Sequence, residues 1–156
     1  MLYKLVELGI DKTRIRYMVR NLKLTETELN ALIQKALNET LRITIADLEE
    51  WIKKKVPKRT GALRENLLLN LRMSSVKILM MRIIVKTSIE YAKFVNEMTT
   101  SQVAHSGEMG YVRGVGNVIL NDPEAIGHFF DELYLYTKQR CLTNLRKMRL
   151  LYLGGM

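Results

Sequence analysis

The feature that most constrains the fold is one unbroken helical stripe of apolar and small residues between Thr25 and about Val56. Its members recur every three or four residues, which is the period of an amphipathic helix. They are Leu29, Leu32, Ile33, Ala36, Leu37, Thr40, Leu41, Thr44, Ile45, Leu48, Trp51 and Ile52. Such a helix is roughly 45 Å long, about the width of a small domain. The rest of the chain must therefore pack along it.

Both ends of this helix carry sequence signals. Thr25 can accept hydrogen bonds from the first free backbone N–H groups, and Glu28 stands three residues later, as in a capping box. The run Lys53 to Lys55 places positive charge at the negative end of the helix dipole. Pro57 disfavours helical geometry at Val56, so the helix is predicted to end there.

The segment after Pro57 predicts a turn followed by the opening of a sheet. Thr60 is a candidate cap and Gly61 permits an unusual backbone dihedral. The stretch from Leu63 to Leu71 is expected to start as a helical turn and finish as a strand. That strand is predicted to pair with 76–87 as an antiparallel hairpin around 73–77.

A second long helix is predicted near the C-terminus. Asn121, Asp122, Pro123 and Glu124 carry the composition of a helix start, and Gly154 with Gly155 marks an end near Leu153. The stripe between them comprises Ile126, Phe129, Phe130, Leu133, Thr137, Arg140, Cys141, Leu145, Met148 and Tyr152.

The remaining segments have weaker patterns. Residues 1–10 fit either a short strand or an irregular arm, and 11–22 fit a short helix, as do 89–97. Residues 98–120 predict a long loop that is functional or mobile, with 112–120 as one further short strand. We therefore predict an α+β fold in a single domain covering 1–156, with long amphipathic helices packed on a small antiparallel sheet.

The net charge of the chain limits the classes of partner but does not select one of them. The chain has 25 Lys and Arg residues against 16 Asp and Glu residues, a net charge of +9. Such a balance favours nucleic acid, an acidic membrane surface or an acidic protein. The candidate partner-binding cluster consists of Lys53, Lys54, Lys55, Lys58 and Arg59. Solvation and complementation of the helix dipole explain its first three lysines equally well.

Compartment signals are simple. No apolar stretch is long enough to cross a bilayer, and Lys4, Glu7 and Asp11 interrupt any signal-peptide core. The single cysteine, Cys141, has no partner for an intrachain disulfide, which favours folding in a reducing compartment.

Residues that could support catalysis are sparse. His128 lies four residues from both Glu124 and Glu132, a spacing that suits either metal ligands or an exposed polar helix face, and we favour the latter. Cys141 falls on the apolar stripe and is expected to be an inert buried thiol. Gly114-Val-Gly116 lacks the context of a phosphate loop. We expect no enzyme activity, cofactor or bound metal.

Two segments resemble a known family. The string VPKRTGALRENL, which begins at Val56, resembles the Pro…Thr-Gly-x-Leu-Arg pattern that opens the sheet in tail-completion, or neck, proteins of tailed phages. The string IEYAKFVNE, which begins at Ile89, resembles the Tyr-Ala-x-(Phe/Tyr)-Val-Glu segment of the same family, named after gene product ten of a lambdoid phage. Asn66 stands where the family usually has serine. The matching motif residues are Pro57, Thr60, Gly61, Leu63, Arg64, Tyr91, Ala92, Val95 and Glu97.

The resemblance implies a non-enzymatic virion protein that assembles as a ring in the neck, between the connector and the tail tube. Its partners would be a second copy of itself, head-connector proteins and tail-tube or terminator proteins, with passive contact to DNA in a central channel and none to membrane. The residues expected at the interface lie in the 98–120 loop and are Met98, Thr99, Thr100, His105, Met109, Tyr111 and Arg113. The alternative is a basic nucleic-acid-binding module associated with viral DNA packaging.

Overall fold

The computed structural model describes residues 1–19, 24–57, 61–77, 79–99, 108–112, 116–120 and 125–154. The strands are β1 (Leu2–Gly9), β2 (Ser75–Lys77), β3 (Met80–Thr87), β4 (Glu108–Val112) and β5 (Gly116–Leu120). The helices are α1 (Lys12–Val19), α2 (Glu26–Lys55), α3 (Ala62–Leu71), α4 (Ala92–Asn96) and α5 (Phe129–Leu153). Long helices packed on a small antiparallel sheet confirm the predicted α+β class.

Helix α2 follows its sequence signals closely. The Glu28 backbone N–H donates to Thr25 Oγ1 at 3.1 Å, and Val56 leaves the helix with extended geometry. The buried side chains are the inner part of the predicted stripe: Leu29, Ile33, Ala36, Leu37, Thr40, Thr44, Leu48 and Ile52. Because this face is continuous over the whole helix, α2 forms one wall of the core along its full length.

Helix α5 packs against α2 in the opposite direction. Contacts join Trp51 to Tyr136 and Thr44 to Asn144, so residue numbers rise along one helix as they fall along the other. The helix ends as predicted, with Gly154 in the left-handed conformation at φ 64°. Its start was predicted too early: helix begins at Phe129, and 121–124 lie outside the described residues.

The late start of α5 has a structural cause. The N–H of Ile126 donates to the Lys55 carbonyl at 3.0 Å, and the N–H of His128 donates to the Met98 carbonyl at 3.1 Å. These bonds tie the segment to the ends of α2 and α4. The N–H groups of Ile126 and His128 are therefore already paired and do not take part in the hydrogen bonding of a helix. His128 then turns the chain with φ 53°.

The three-stranded sheet has the order β1-β3-β2 and is antiparallel throughout. Strand β1 pairs with β3 along its whole length, from Leu2 opposite Thr87 to Gly9 opposite Met80. Alternate residues of β3, namely Met81, Ile83, Val85 and Thr87, are buried against the helices. Of the two alternatives for residues 1–10, the structure has the strand rather than the irregular arm.

Two predictions around the hairpins were wrong in part. Residues 62–71 are helical throughout, because Leu63, Leu67 and Leu71 share one buried face at a spacing of four. The hairpin therefore joins β2 to β3. The long loop contains two strands rather than one, since β4 and β5 pair with each other from Glu108 opposite Leu120 to Val112 opposite Gly116.

Candidate assembly surface

The described residues of the Pro-Thr-Gly-Leu-Arg segment connect the start of α3 to the end of α2. Val56 and Pro57 are buried, and Gly61 has φ 89°, a conformation that favours glycine. Arg64 Nε donates to the Val56 carbonyl at 2.7 Å. The guanidinium thus satisfies a free carbonyl at the negative end of α2. Lys58, Arg59 and Thr60 lie outside the described residues, so the predicted Thr60 cap does too.

Helix α3 also closes one edge of the sheet with side chains. Strand β2 is short and pairs only with the first part of β3. Beyond it, Ser74 Oγ accepts from the Ile84 N–H at 2.9 Å, and Asn70 Nδ2 donates to the Lys86 carbonyl at 3.1 Å. Asn66 Oδ1 accepts from the Ser88 N–H at 2.9 Å. We call these three side chains, Asn66, Asn70 and Ser74, the polar ladder.

The polar ladder was not predicted, although a signal for it is present. Its members are four residues apart, so they lie on one face of α3 or just past its end. The backbone groups that they bind belong to alternate residues of β3 and the residue that follows it. The four-residue spacing of the ladder matches the alternate residues of β3 only because 62–71 form a helix.

The opposite edge of the sheet is open. Strand β1 is an outer strand, and no other described strand pairs with its second side. It is eight residues long and carries exposed apolar side chains, with Tyr3 50% and Leu5 36% exposed. An outer strand of this length presents a row of unpaired backbone groups to a further strand, and exposed Lys4 and Glu7 also lie along it.

Helix α5 forms a shelf beside this open edge. Leu142 is 46% exposed and joins Val6, Leu8 and Cys141 around a shallow depression. Lys4 and Lys138 approach the Tyr134 ring, with Nζ atoms 5.3 and 5.1 Å from its centroid. Neither lysine forms an ion pair with another residue of the described chain. The shelf is therefore mainly apolar, with Lys4, Lys138 and the acidic Glu7 at its border.

The second resemblance segment contributes to the core more than to the surface. Ala92 and Val95 are buried, Tyr91 is half-buried and Glu97 is exposed. Met98, predicted to be an interface residue, is instead buried at 8% exposure among the core side chains. Its burial follows from the bond between its carbonyl and His128, which holds residue 98 against the start of α5.

The other predicted interface residues divide into two groups. Thr99 is exposed, and Met109 and Tyr111 lie in strand β4. Thr100, His105 and Arg113 lie outside the described residues.

The predicted basic cluster is only partly gathered. Lys53 and Lys54 are exposed at the end of α2, and Lys54 Nζ lies 3.0 Å from Glu50 Oε1. Lys55 is half-buried beside the start of α5, where its carbonyl binds Ile126.

A partly buried polar cluster between the long helices was not predicted from the sequence. Arg140 Nη2 lies 2.9 Å from Asp47 Oδ2, and Asn144 Nδ2 donates to both Asp47 Oδ2 and Thr44 Oγ1 at 3.0 Å. Nearby, Tyr136 stacks on Trp51, and burial raises the pKa of its hydroxyl. Arg140 and Asn144 thus donate to α2 side chains across the interface, an arrangement that favours a role in setting the register of α2 against α5.

The residues considered for catalysis do not converge. Burial raises the pKa of the Cys141 thiol to about 12, so the thiol is protonated at neutral pH. His128 is exposed at the start of α5. Within the described ranges, no three His, Cys, Asp or Glu side chains are grouped as metal ligands. None of the described helices is long and apolar enough to cross a membrane.

No family model, curated protein or solved structure matches the chain.

Proposed function

We propose that this chain is a non-enzymatic structural protein of a tailed-phage or prophage virion, which joins the head connector to the tail tube as part of an adaptor ring in the neck. It is made in the host cytoplasm and becomes part of the particle. The resemblance of VPKRTGALRENL and IEYAKFVNE to the neck-protein family supplies the biological context of this proposal.

The observation that carries the proposal is the asymmetry of the sheet. One edge is closed by the polar ladder, whereas β1 offers an open edge beside the apolar shelf of α5. Rings are built from heterologous contacts, in which two different surfaces of each copy meet. A chain with one closed and one open sheet edge has the directional surface that such a contact needs.

The charge of the chain fits acidic protein partners above and below the ring. A net charge of +9 draws acidic surfaces to the protein. A strongly attractive channel wall would slow DNA that must slide through it, because phosphate binding releases counterions. We therefore assign the positive charge mainly to connector and tail-tube contacts, with DNA touched only in passing.

The test is to locate the protein in particles. Particles are purified from induced cells whose copy of this gene carries an affinity tag, and the tag is labelled with gold for electron microscopy. We expect gold at the junction between head and tail. Deletion of the gene should leave filled heads and finished tails that remain separate. Particles that lack the protein, or that join normally without it, would contradict the proposal.

A nucleic-acid-binding module is the second candidate, favoured by the net charge and by exposed Lys53 and Lys54. Titration of duplex DNA at several salt concentrations separates the two. A packaging module predicts tight binding whose affinity falls steeply as salt rises. The neck proposal predicts only weak binding at physiological salt.

A further inference from the structure

We infer that the β4–β5 hairpin of one copy adds to the open β1 edge of the next copy, and that this contact links the ring. The inference deepens the proposed function by naming the two surfaces that meet. It rests on two features of the same chain. The β4–β5 hairpin has no third strand among the described residues, and the outer side of β1 has no paired strand there either.

The hairpin is incomplete by itself. Strands β4 and β5 form a separate two-stranded sheet that shares no strand with the β1-β3-β2 sheet among the described residues. Isolated two-stranded hairpins are marginally stable in water and gain stability from a third strand. Their sequences, EMGYV and GNVIL, are mostly apolar and contain Glu108 as their single charged residue. Such a composition suits strand pairing with another chain.

The β1 edge is the complementary surface. At eight residues it is longer than either five-residue hairpin strand, so a hairpin strand can pair along its whole length. The added strand would lie beside Tyr3 and Leu5 on one face of the sheet and beside the Leu142 shelf on the other. Main-chain hydrogen bonds would supply affinity, and the apolar shelf would supply selectivity.

Pairing of β1 with the β1 of a second copy is the less favourable alternative. A two-fold axis that joins two identical antiparallel strands into one sheet keeps both α5 helices on the same side. Lys4 and Lys138 of both copies would then approach each other across the junction, where like charges repel. The hairpin strands bring no lysine or arginine to this position.

The test is a complementation experiment with two variants. Leu5→Lys blocks the open edge with a charge and leaves the hairpin intact, while Val118→Pro with Ile119→Pro disrupts the hairpin and leaves β1 intact. Because Leu5 is exposed and β4 and β5 form a sheet separate from β1-β3-β2, circular dichroism should show both variants folded. Leu69→Lys is the matched control, since Leu69 is an exposed leucine on α3 at the closed edge.

Light scattering then gives the mass of each protein over a concentration series. We expect wild type and Leu69→Lys to associate, and each blocked variant to remain a single chain. An equimolar mixture of the two blocked variants should give a dimer and nothing larger, because one intact hairpin and one intact edge remain.

Several outcomes would overturn the inference. Association of the hairpin variant alone would show that β1 pairs with itself or that another surface is used. Association of Leu5→Lys, loss of association in Leu69→Lys, or failure of the mixture to form a dimer would each contradict it. A wild-type protein that stays a single chain at its highest soluble concentration would also overturn it. Gold labelling at the neck would then still support the proposed function, so the two failures are distinguishable.

Discussion

The two edges of the three-stranded sheet differ in whether side chains of the same chain satisfy their unpaired backbone groups. Beyond β2, the polar ladder of α3 satisfies backbone groups of β3 and Ser88 with side chains. Strand β1 has no such cover among the described residues and carries exposed Tyr3 and Leu5. The difference teaches that this fold can close a short edge with three polar side chains, while the longer β1 edge has no such cover within the described chain.

The largest expected effect is on the closed edge. Asn70→Ala removes the bonds from Nδ2 to the Lys86 carbonyl and to Asn66, and leaves partly buried acceptors without a donor. We expect the free energy of unfolding to fall by about 2 kcal/mol. Urea denaturation monitored by circular dichroism measures it. The neighbouring Leu69→Ala change should have almost no effect, and equal midpoints for the two variants would refute the structural role of the ladder.

The next effect concerns the corner that holds α3 in place. Arg64→Leu removes the bond to the Val56 carbonyl and should lower the free energy of unfolding by about 1.5 kcal/mol. Arg72→Leu is the control, because Arg72 is exposed and pairs with Glu49 at 3.6 Å, a contact worth less than about 0.5 kcal/mol. Thermal melts of both variants provide the comparison. A larger loss in Arg72→Leu would overturn this account of the motif.

A third prediction uses Cys141, which lies beneath the open edge beside Val6 and Leu8. Burial raises the pKa of its thiol from 9.0 to about 12, so the folded protein binds this proton more tightly than the unfolded chain. The stabilisation is present below pH 9 and is lost as pH rises from 9 towards 12. Stability of the wild type relative to Cys141→Ala should fall by about 1 kcal/mol between pH 9 and 10. Parallel pH dependence of the two proteins would show that the thiol is not buried.

The smallest effect on stability is expected at the open edge. Leu5→Lys in dilute solution should change the free energy of unfolding by less than about 0.5 kcal/mol, because the side chain is exposed on the outer face. Ser74→Ala, at the closed edge, should cost about 1 kcal/mol through the lost Ile84 bond. Denaturation of both variants at low protein concentration measures these two changes in the free energy of unfolding. A larger loss in Leu5→Lys would mean that β1's outer face supports the monomer.

The parts that the sequence predicted are those governed by local rules. Thr25 marks a helix start through its side-chain cap, Pro57 and Gly154 mark helix ends through backbone geometry, and the α2 stripe follows the helical period. Residues 62–71 defeated the same reasoning because a run of leucines fits helix and strand equally well, and packing decides between them. The start of α5 was misplaced because its position depends on bonds to Lys55 and Met98, which are distant in sequence.

The candidate surface was less predictable than the fold. An open edge is a property of strand order, which no local pattern in β1 encodes. The polar ladder likewise depends on α3 lying against β3, although its four-residue spacing is visible in the sequence. Met98 was expected in an interface because it begins a segment with little pattern, yet its carbonyl anchors it to the core.

The most direct test of the two-edge account is backbone amide hydrogen exchange, measured residue by residue by NMR in dilute and in concentrated protein. The Ile84 and Ser88 amides should be protected equally at both concentrations, because the polar ladder binds them within one chain. The outward-facing amides of β1 should exchange freely in dilute protein and become protected, together with those of one hairpin strand, in concentrated protein. Equal protection of β1 at both concentrations would contradict the account.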